Sequence, residues 1–352
     1  MQPSDNNEHP EPDPQPAEPT FSFVVPVYNE QDGLEHFYGR LKIAADELSE
    51  PYEILFVNDG STDETGAVIR RLAEADPRVR AVEFSRNFGH QVAVTAGYDH
   101  AVGKAVVSLD GDCQHPPELI AEMVARWREG FEVVYTVRKD TMGISRLRRG
   151  IGRLTYAAIR LASGADLTDQ ADFRLLDRKV VEALCEHREQ ARFLRGLVHR
   201  VGFRQTALTY TAEPRAIGTS RYTLRQLAGM STAGVFNFSH LPLRLAPAAG
   251  GLLIAAAILY AVVSLVLWPF GLAPGGWTHA AIAMMALFGL QFVLLGILGE
   301  YIGRTFDEAK ARPLYIVRET VGFPAEPADA DEPAADEPAE EPEDRDDFVV
   351  FT

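Results

Sequence analysis

From Phe21 to about Arg138, short apolar runs alternate with stretches of helical spacing. The runs at 21–27, 52–57, 79–84, 105–109 and 131–137 are rich in β-branched and aromatic residues and predict strands. Between them, 33–48, 64–75, 91–102 and 117–129 carry apolar residues at helical intervals and predict helices. Ser61, Thr62 and Asp63 offer N-cap oxygens to the second helix, and Pro117 suits a first helical turn. This alternation predicts an α/β fold with a mostly parallel sheet covered on both faces.

The pattern changes after Arg244, where 55 consecutive residues up to Glu300 include no Asp, Glu, Lys or Arg. As one helix they would run about 80 Å, far more than a bilayer needs. The segment Trp268-Pro269-Phe270-Gly271-Leu272-Ala273-Pro274-Gly275-Gly276-Trp277 breaks the run. Two transmembrane helices are expected near 248–268 and 279–299, each about 31 Å long. Trp268 and Trp277 fall where an aromatic belt would sit. Arg221, Arg225 and Arg244 precede this hairpin, Arg304, Lys310 and Arg312 follow it, and the connecting loop is uncharged. The positive-inside rule then puts both termini and the α/β domain in the cytoplasm, as a multi-pass protein of the cell (inner) membrane. Before the hairpin, Thr223 to Leu243 carries Leu224, Leu227, Met230, Val235, Phe236 and Phe238 among small polar residues. That spacing suits an interfacial amphipathic segment or packing against the domain equally. Gly and Ala on both apolar helices permit helix contacts and hence a homo-oligomer.

The net charge of −16 belongs to the tails. Residues 1–20 carry five acids and no Lys or Arg, and 322–352 carry twelve acids and one Arg, leaving 33 acids against 33 bases between them. Half of the 22 prolines lie in the same two segments, so both are expected to be disordered. Cys113 and Cys185 lack CxxC spacing, which argues against structural zinc and a disulfide framework. No basic region followed by an apolar core stands at the N-terminus, so no cleavable signal peptide is expected. Residues 138–160 hold Arg138, Lys139, Arg146, Arg148, Arg149, Arg153 and Arg160, either a solvated face or a contact for phosphate or anionic lipid.

Three strand ends turn polar: Tyr28-Asn29-Glu30, Asn58-Asp59-Gly60-Ser61-Thr62-Asp63 and Asp110-Gly111-Asp112-Cys113-Gln114. Such clusters build a nucleotide crevice in an open α/β sheet. Asp110 and Asp112, with the Gln114 amide, can converge on one hard cation and leave positions for phosphate oxygens. All-oxygen ligands suit Mg²⁺ or Mn²⁺, whereas zinc prefers His or Cys. Asp59 could accept bonds from a base or ribose, or close an Asx-turn, or do both. Arg215 and Arg221 flank Gly218-Thr219-Ser220 and would form a mobile pyrophosphate clamp. No G-x-G-x-x-G follows the first strand and no P-loop is present, so dinucleotide and P-loop readings lack support. The nine histidines show no ligand spacing.

These motifs, with Val25-Pro26-Val27, Asn87-Phe88-Gly89-His90, Asp172-Phe173-Arg174-Leu175-Leu176, Arg192-Phe193-Leu194-Arg195-Gly196, Gly218-Thr219-Ser220-Arg221-Tyr222 and Gly299-Glu300-Tyr301-Ile302-Gly303-Arg304, resemble family 2 glycosyltransferases. Within that family the chain is similar to polyprenyl-phosphate glycosyltransferases of the dolichol-phosphate mannosyltransferase and bactoprenol glucosyltransferase type. The resemblance covers about residues 21–318. It implies a GT-A catalytic domain over 21–222, a juxtamembrane segment at 223–244, the hairpin at 245–303, a cytoplasmic basic segment at 304–321 and the tail from 322. By the same resemblance Pro26, Tyr28, Glu30 and Asp59 hold the nucleotide and Arg215 with Arg221 the donor phosphates. Asp110, Asp112 and Gln114 hold the metal, Asp172 sits at the catalytic centre, and Arg138, Arg149 or Arg153 meets the acceptor phosphate. Asn58 departs from the family, where many relatives have a second Asp, and the basic stretch after Arg138 is shorter than usual.

The expected activity is inverting transfer of a hexose from a nucleotide-sugar, UDP-glucose or a related donor, to membrane polyprenyl phosphate. Its partners would be that donor, the lipid and the membrane, with no nucleic acid. A GDP-mannose-dependent mannosyltransferase is the alternative. A processive polysaccharide synthase would need a Q-x-x-R-W motif, and Val124-Ala125-Arg126-Trp127 lacks the Gln. A non-catalytic membrane scaffold with a dead domain conflicts with the intact acidic and Arg motifs.

Overall fold

The computed structural model describes residues 18–112, 114–139, 170–190, 192–211, 241–270 and 277–323. Four strands appear where the apolar runs predict them: β1 (Phe21–Val27), β2 (Tyr52–Asn58), β3 (Val79–Phe84) and β4 (Ala105–Ser108). Every residue of β1, β2 and β4 is buried, which explains runs that are apolar throughout rather than alternating. The helices between them are α1 (Leu34–Asp46), α2 (Thr65–Ala75) and α3 (His90–His100); a short 3₁₀ turn at Pro117–Leu119 leads into α4 (Ile120–Arg128). Helix α1 buries Leu34, Phe37, Leu41, Ala44 and Ala45, one stripe of an amphipathic helix. That stripe joins α2 and α4 in a core over one face of the sheet, around Phe21, Phe23, Val25, Ile54 and Phe56. Helix α3 covers the other face so closely that a Cβ on Gly97 would lie 2.0 Å from Val24 Cγ1.

The sheet has eight strands in the order β7-β5-β6-β4-β1-β2-β3-β8, with β5 at Val133–Lys139, β6 at Gln170–Asp177, β7 at Gln205–Thr211 and β8 at Val317–Val321. Strands β4, β1, β2 and β3 are parallel, as is the β5–β7 pair; β6 runs antiparallel to both β4 and β5, and β8 antiparallel to β3. The α/β expectation holds, with a parallel centre and antiparallel insertions. Strand β5 begins two residues later than expected, and Phe131 packs ahead of it beneath the Arg204 guanidinium, 4.3 Å from the ring centre. Two further helices, α5 (Arg178–Glu186) and α6 (Leu194–Arg200), follow β6.

Strand β8 lies within 304–321, the segment expected to be cytoplasmic and basic. Its Glu319 accepts from Arg70 at 2.9 Å, its Arg318 lies 3.6 Å from Glu83, and the strand extends the sheet beyond β3. Between β7 and β8 come α7 (Leu241–Leu267), a 3₁₀ turn at Trp268–Phe270 and α8 (Trp277–Ala309). Within them Gly250–Leu267 has mean hydropathy 2.5 and Leu287–Ala309 has 1.3, and neither window is buried. Ile254, Leu259, Leu265, Phe292 and Leu295 are all more than half exposed. The two helices fit the expected transmembrane hairpin. Of the remaining expectations, the 1–17 and 324–352 tail residues and residues 223–240 of the juxtamembrane segment lie outside the described residues.

Candidate active site

The chain climbs outward through β1, β2 and β3, then returns to the opposite flank of β1 to form β4. That reversal is a topological switch point, and the crevice it opens lies beyond the carboxyl ends of β1 and β4. Pro26 sits at this point. The β1–β4 ladder ends at Val24–Ser108 with the bond from Leu109 N–H to the Val24 carbonyl, while Asp59 N–H bonds Val27 on the β2 side. The alternation therefore turns the Pro26 nitrogen toward the side where β4 has departed, and the missing N–H costs no ladder bond. Tyr28 stands 43% exposed just past the strand end.

The turns after β1 and β2 are laced together. Asn29 adopts a left-handed conformation (φ 55°), takes the Thr62 N–H on its side-chain oxygen at 2.8 Å and donates its own N–H to Ser61 Oγ at 3.0 Å. The Glu30 N–H donates to Thr65 Oγ1 at 2.9 Å. Asn58 Oδ1 accepts the N–H of Ser61, three residues on, at 3.0 Å and so closes the turn after β2. The buried Asp59 carboxylate instead accepts the backbone N–H groups of Phe88 at 2.6 Å and Gly89 at 3.0 Å, so it ties the β3–α3 loop to the end of β2. Burial pushes this carboxyl up, against the pull of those two N–H groups. Gly60 (φ +65°) makes the approach possible, since a Cβ there would lie 2.3 Å from the Arg86 carbonyl carbon.

At the end of β4, Asp110 donates its N–H to His115 Nδ1 at 3.1 Å. That nitrogen is therefore an acceptor and offers no proton to the Asp110 carboxylate 3.6 Å away. Asp112 Oδ1 accepts the Gln114 N–H at 3.1 Å, which folds the loop back over the strand end. Across the crevice, β6 places Asp172 and Arg174 on one face and the core residues Phe173 and Leu175 on the other. Asp172 is bonded by Arg174 at 2.8 Å and by the Arg195 fork at 3.0 and 2.9 Å. His90, on the first turn of α3, lies 3.5 Å from Asp110 and 3.7 Å from Asp172. Burial opposes ionisation of Asp172, yet Arg195, the His90 hydrogen bond and Arg174 together hold its carboxyl well below the usual range. Burial likewise disfavours the charged imidazole of His90, but the Asp110 and Asp172 carboxylates win and push it up to about 9.

The structure thus brings Asp110 and Asp172 to one crevice, with Pro26 and Tyr28 at its β1 side. Arg215, Arg221, Arg149 and Arg153 lie outside the described residues, and Arg138 lies on β5 opposite Tyr210. Sequence reasoning assigned no role to His90, Arg174 or Arg195. All three stand in the quoted motifs, but nothing in those motifs says that they meet at one carboxylate. Among the described residues no three His, Cys, Asp or Glu side chains form a metal cage. Two carboxylates and an amide at an open strand end are the incomplete oxygen set that Mg²⁺-type sites share with a phosphorylated substrate, so the residues fit a hard cation.

Asp110 and Asp172 stand at the switch point of a mostly parallel α/β sheet, the place where such folds bind their ligands. Residues 22–185 match the model of Glycosyl transferase family 2. A Bacillus subtilis protein, Uncharacterized glycosyltransferase YkcC, is 44% identical over 86% of this chain and 94% of its own length. The prophage bactoprenol glucosyl transferase homolog of Escherichia coli is 35% identical over 84% and 98%. Among solved structures, glucosyl-3-phosphoglycerate synthase from Mycobacterium tuberculosis, with Mn²⁺, UDP and phosphoglyceric acid, covers 62% of this chain and 76% of that one at 20% identity and a TM-score of 0.45. The chain belongs to glycosyltransferase family 2 and is a glycosyltransferase.

Proposed function

We propose that this enzyme moves a hexose, glucose foremost, from a UDP-sugar to the phosphate of a membrane polyprenyl phosphate, with inversion at the anomeric carbon. The observation that carries the reading is the pairing of Asp110, at the switch-point crevice, with the Asp172–Arg195–His90 cluster facing it. Relatives named bactoprenol glucosyl transferase, 34% identical over 84% of the chain, support glucose and a polyprenyl acceptor. The exposed apolar hairpin supports a membrane-held acceptor, with the catalytic domain and both termini cytoplasmic by the charge rule.

In this reading the nucleotide lies along the ends of β1 and β2, against Pro26, Tyr28, Glu30 and the Asp59 turn. Asp110, Asp112 and Gln114 hold Mg²⁺ or Mn²⁺, which supplies charge neutralisation at the departing diphosphate. Arg215 and Arg221 are assigned to the donor phosphates, and Arg138, Arg149 and Arg153 to the acceptor phosphate. The acceptor oxygen forms its bond to the anomeric carbon as the bond to the diphosphate oxygen breaks and UDP leaves with the electron pair. A phosphate oxygen is already anionic near neutral pH, since its second pKa is about 6. Asp172 therefore has no proton to take, and its depressed pKa, set by Arg195 and Arg174, makes it a poor base. Its role is to orient the sugar through hydroxyl hydrogen bonds, within a crevice where positioning and fixed charge dominate the rate.

The test is an assay of membranes carrying the protein, polyprenyl phosphate and radiolabelled UDP-glucose, followed by organic extraction. Label is expected in the organic phase as one sugar per lipid, with GDP-mannose a poor donor. EDTA, Asp110→Asn and Asp112→Asn should each nearly abolish it, and Mg²⁺ or Mn²⁺ should reverse the EDTA loss. Polymer, or full activity in EDTA, overturns the reading.

A further inference from the structure

Helix α8 has 33 residues, about 50 Å of helix, against a hydrocarbon layer of about 30 Å. Its charged end runs from Glu300 onward and begins with the Glu300–Arg304 pair at 2.8 Å. There Glu308 accepts the backbone N–H of Gln190 at 2.8 Å, and the Gln190 side-chain amide donates to the Arg312 carbonyl at 2.6 Å. Further along, the Tyr315 hydroxyl donates to Asp99 at 2.8 Å, and Arg188 bonds the same carboxylate oxygen at 2.8 Å. The Tyr315 ring stacks on Phe84 with centres 5.0 Å apart, and from Val317 the chain enters the sheet as β8.

The residues gripped by these contacts, Arg188 and Gln190, shortly precede α6, whose second residue is Arg195. Buried Arg192 braces this stretch by donating to the carbonyls of Leu184 and His187. The Leu194 N–H donates to Gln91 Oε1 at 3.0 Å, and Arg195 grips Asp172. Gln91 lies in the first turn of α3 and Asp99 in its last, so the stretch is fastened to both ends of one helix. The contacts from the end of α8 thus reach Gln190, five residues before the Arg195 that grips Asp172, although Glu308, Gln190 and Tyr315 belong to no part of the reacting cluster. Among the described residues the other Asp99 oxygen is buried without a hydrogen-bond partner, so loss of the Tyr315 hydroxyl would leave this carboxylate still less satisfied.

We propose that Glu308, Gln190 and Tyr315 are positioning residues. The strap from Glu308 to Val321 holds Arg188 and Gln190 ahead of α6, and with them Arg195 and Asp172, at a set height above the bilayer. An acceptor phosphate at the membrane surface then meets the anomeric carbon of the donor. This inference rests on the polyprenyl-phosphate reading above.

The test uses full-length protein in phospholipid vesicles containing long-chain polyprenyl phosphate, with Glu308→Ala and Tyr315→Phe made singly and together. In the double variant kcat/KM for the membrane acceptor should fall about tenfold or more, the loss expected when bonds to charged groups go. UDP-glucose affinity should stay within about twofold, because the donor contacts lie elsewhere. Hydrogen exchange should quicken at the amides of 188–195 while β1, β2 and β4 keep wild-type protection. Unchanged transfer, unchanged exchange at those amides, or an equal loss of donor affinity would each overturn the proposal. If the wild type itself makes no lipid-linked sugar, the substrate reading fails, and the exchange measurement still decides whether the strap holds Arg188 and Gln190.

Discussion

Asp172 is a carboxylate placed between two guanidinium groups and an imidazole, with its side chain 15% exposed. Charge placed there stabilises the folded state only while it exists. Because its folded pKa lies well below the unfolded value near 4, the contribution is complete above that value and disappears as pH falls below it. Asp172→Asn should therefore flatten the loss of thermal stability below about pH 4. At neutral pH it should cost about 3–5 kcal/mol, because Arg174 and Arg195 lose a buried partner. In the enzyme assay it should lower kcat by about 10²–10³ from about pH 6 to about pH 9, with donor affinity nearly kept. Recovery of the wild-type rate at high pH would make Asp172 a base. The individual acids at the ends of β1, β2 and β4 were legible in sequence because each follows an apolar run directly. The partners of Asp172 were not, since Arg195 lies 23 residues away and His90 on another helix.

Between elements, the contacts that shape the crevice are close approaches of turns rather than of side chains. Gly60 is the sharpest case. A methyl group there meets the Arg86 carbonyl carbon at 2.3 Å and strains a residue at φ +65°. Gly60→Ala should cost about 2–4 kcal/mol in thermal unfolding, combining left-handed strain with displacement of backbone. It should also weaken UDP-sugar binding in calorimetry, since the displaced loop carries Phe88 and Gly89, the donors to Asp59. Gly39 is the control: it lies within α1 with no atom within 4 Å of an added Cβ, so Gly39→Ala should stabilise by about 1 kcal/mol. Equal effects at the two sites would remove the argument. Strand β6 escaped the sequence pattern because Asp172 and Arg174 interrupt its apolar residues, and only the fold pairs them with each other and Asp172 with Arg195. Strand β8 escaped it because an exposed edge strand has no buried face to impose alternation.

For the molecule as a whole, the hairpin divides the sheet in sequence but not in space, because β8 returns to the edge of β3 after both apolar helices. Truncation after about Arg244 therefore removes a strand as well as an anchor. It should bare the β3 edge, including Glu83 and the Phe84 ring that stacks on Tyr315, and cause self-association in sedimentation experiments. Rejoining residues 313–322 through a flexible linker should restore the monomer. A truncated domain that is monomeric with unchanged thermal stability would show β8 to be dispensable. Sequence by itself determined the β1–β4 framework, the charge-free hairpin and the acids at the strand ends, because each is written in neighbouring residues as a period, a run or a boundary. Tertiary structure alone decided which acids share a crevice, that Asp59 holds the β3–α3 loop, and that the segment after the hairpin closes the sheet and grips Arg188 and Gln190. Those outcomes join residues as far apart as Arg70 and Glu319, and pairing over such distances depends on the order of strands, which no local pattern encodes.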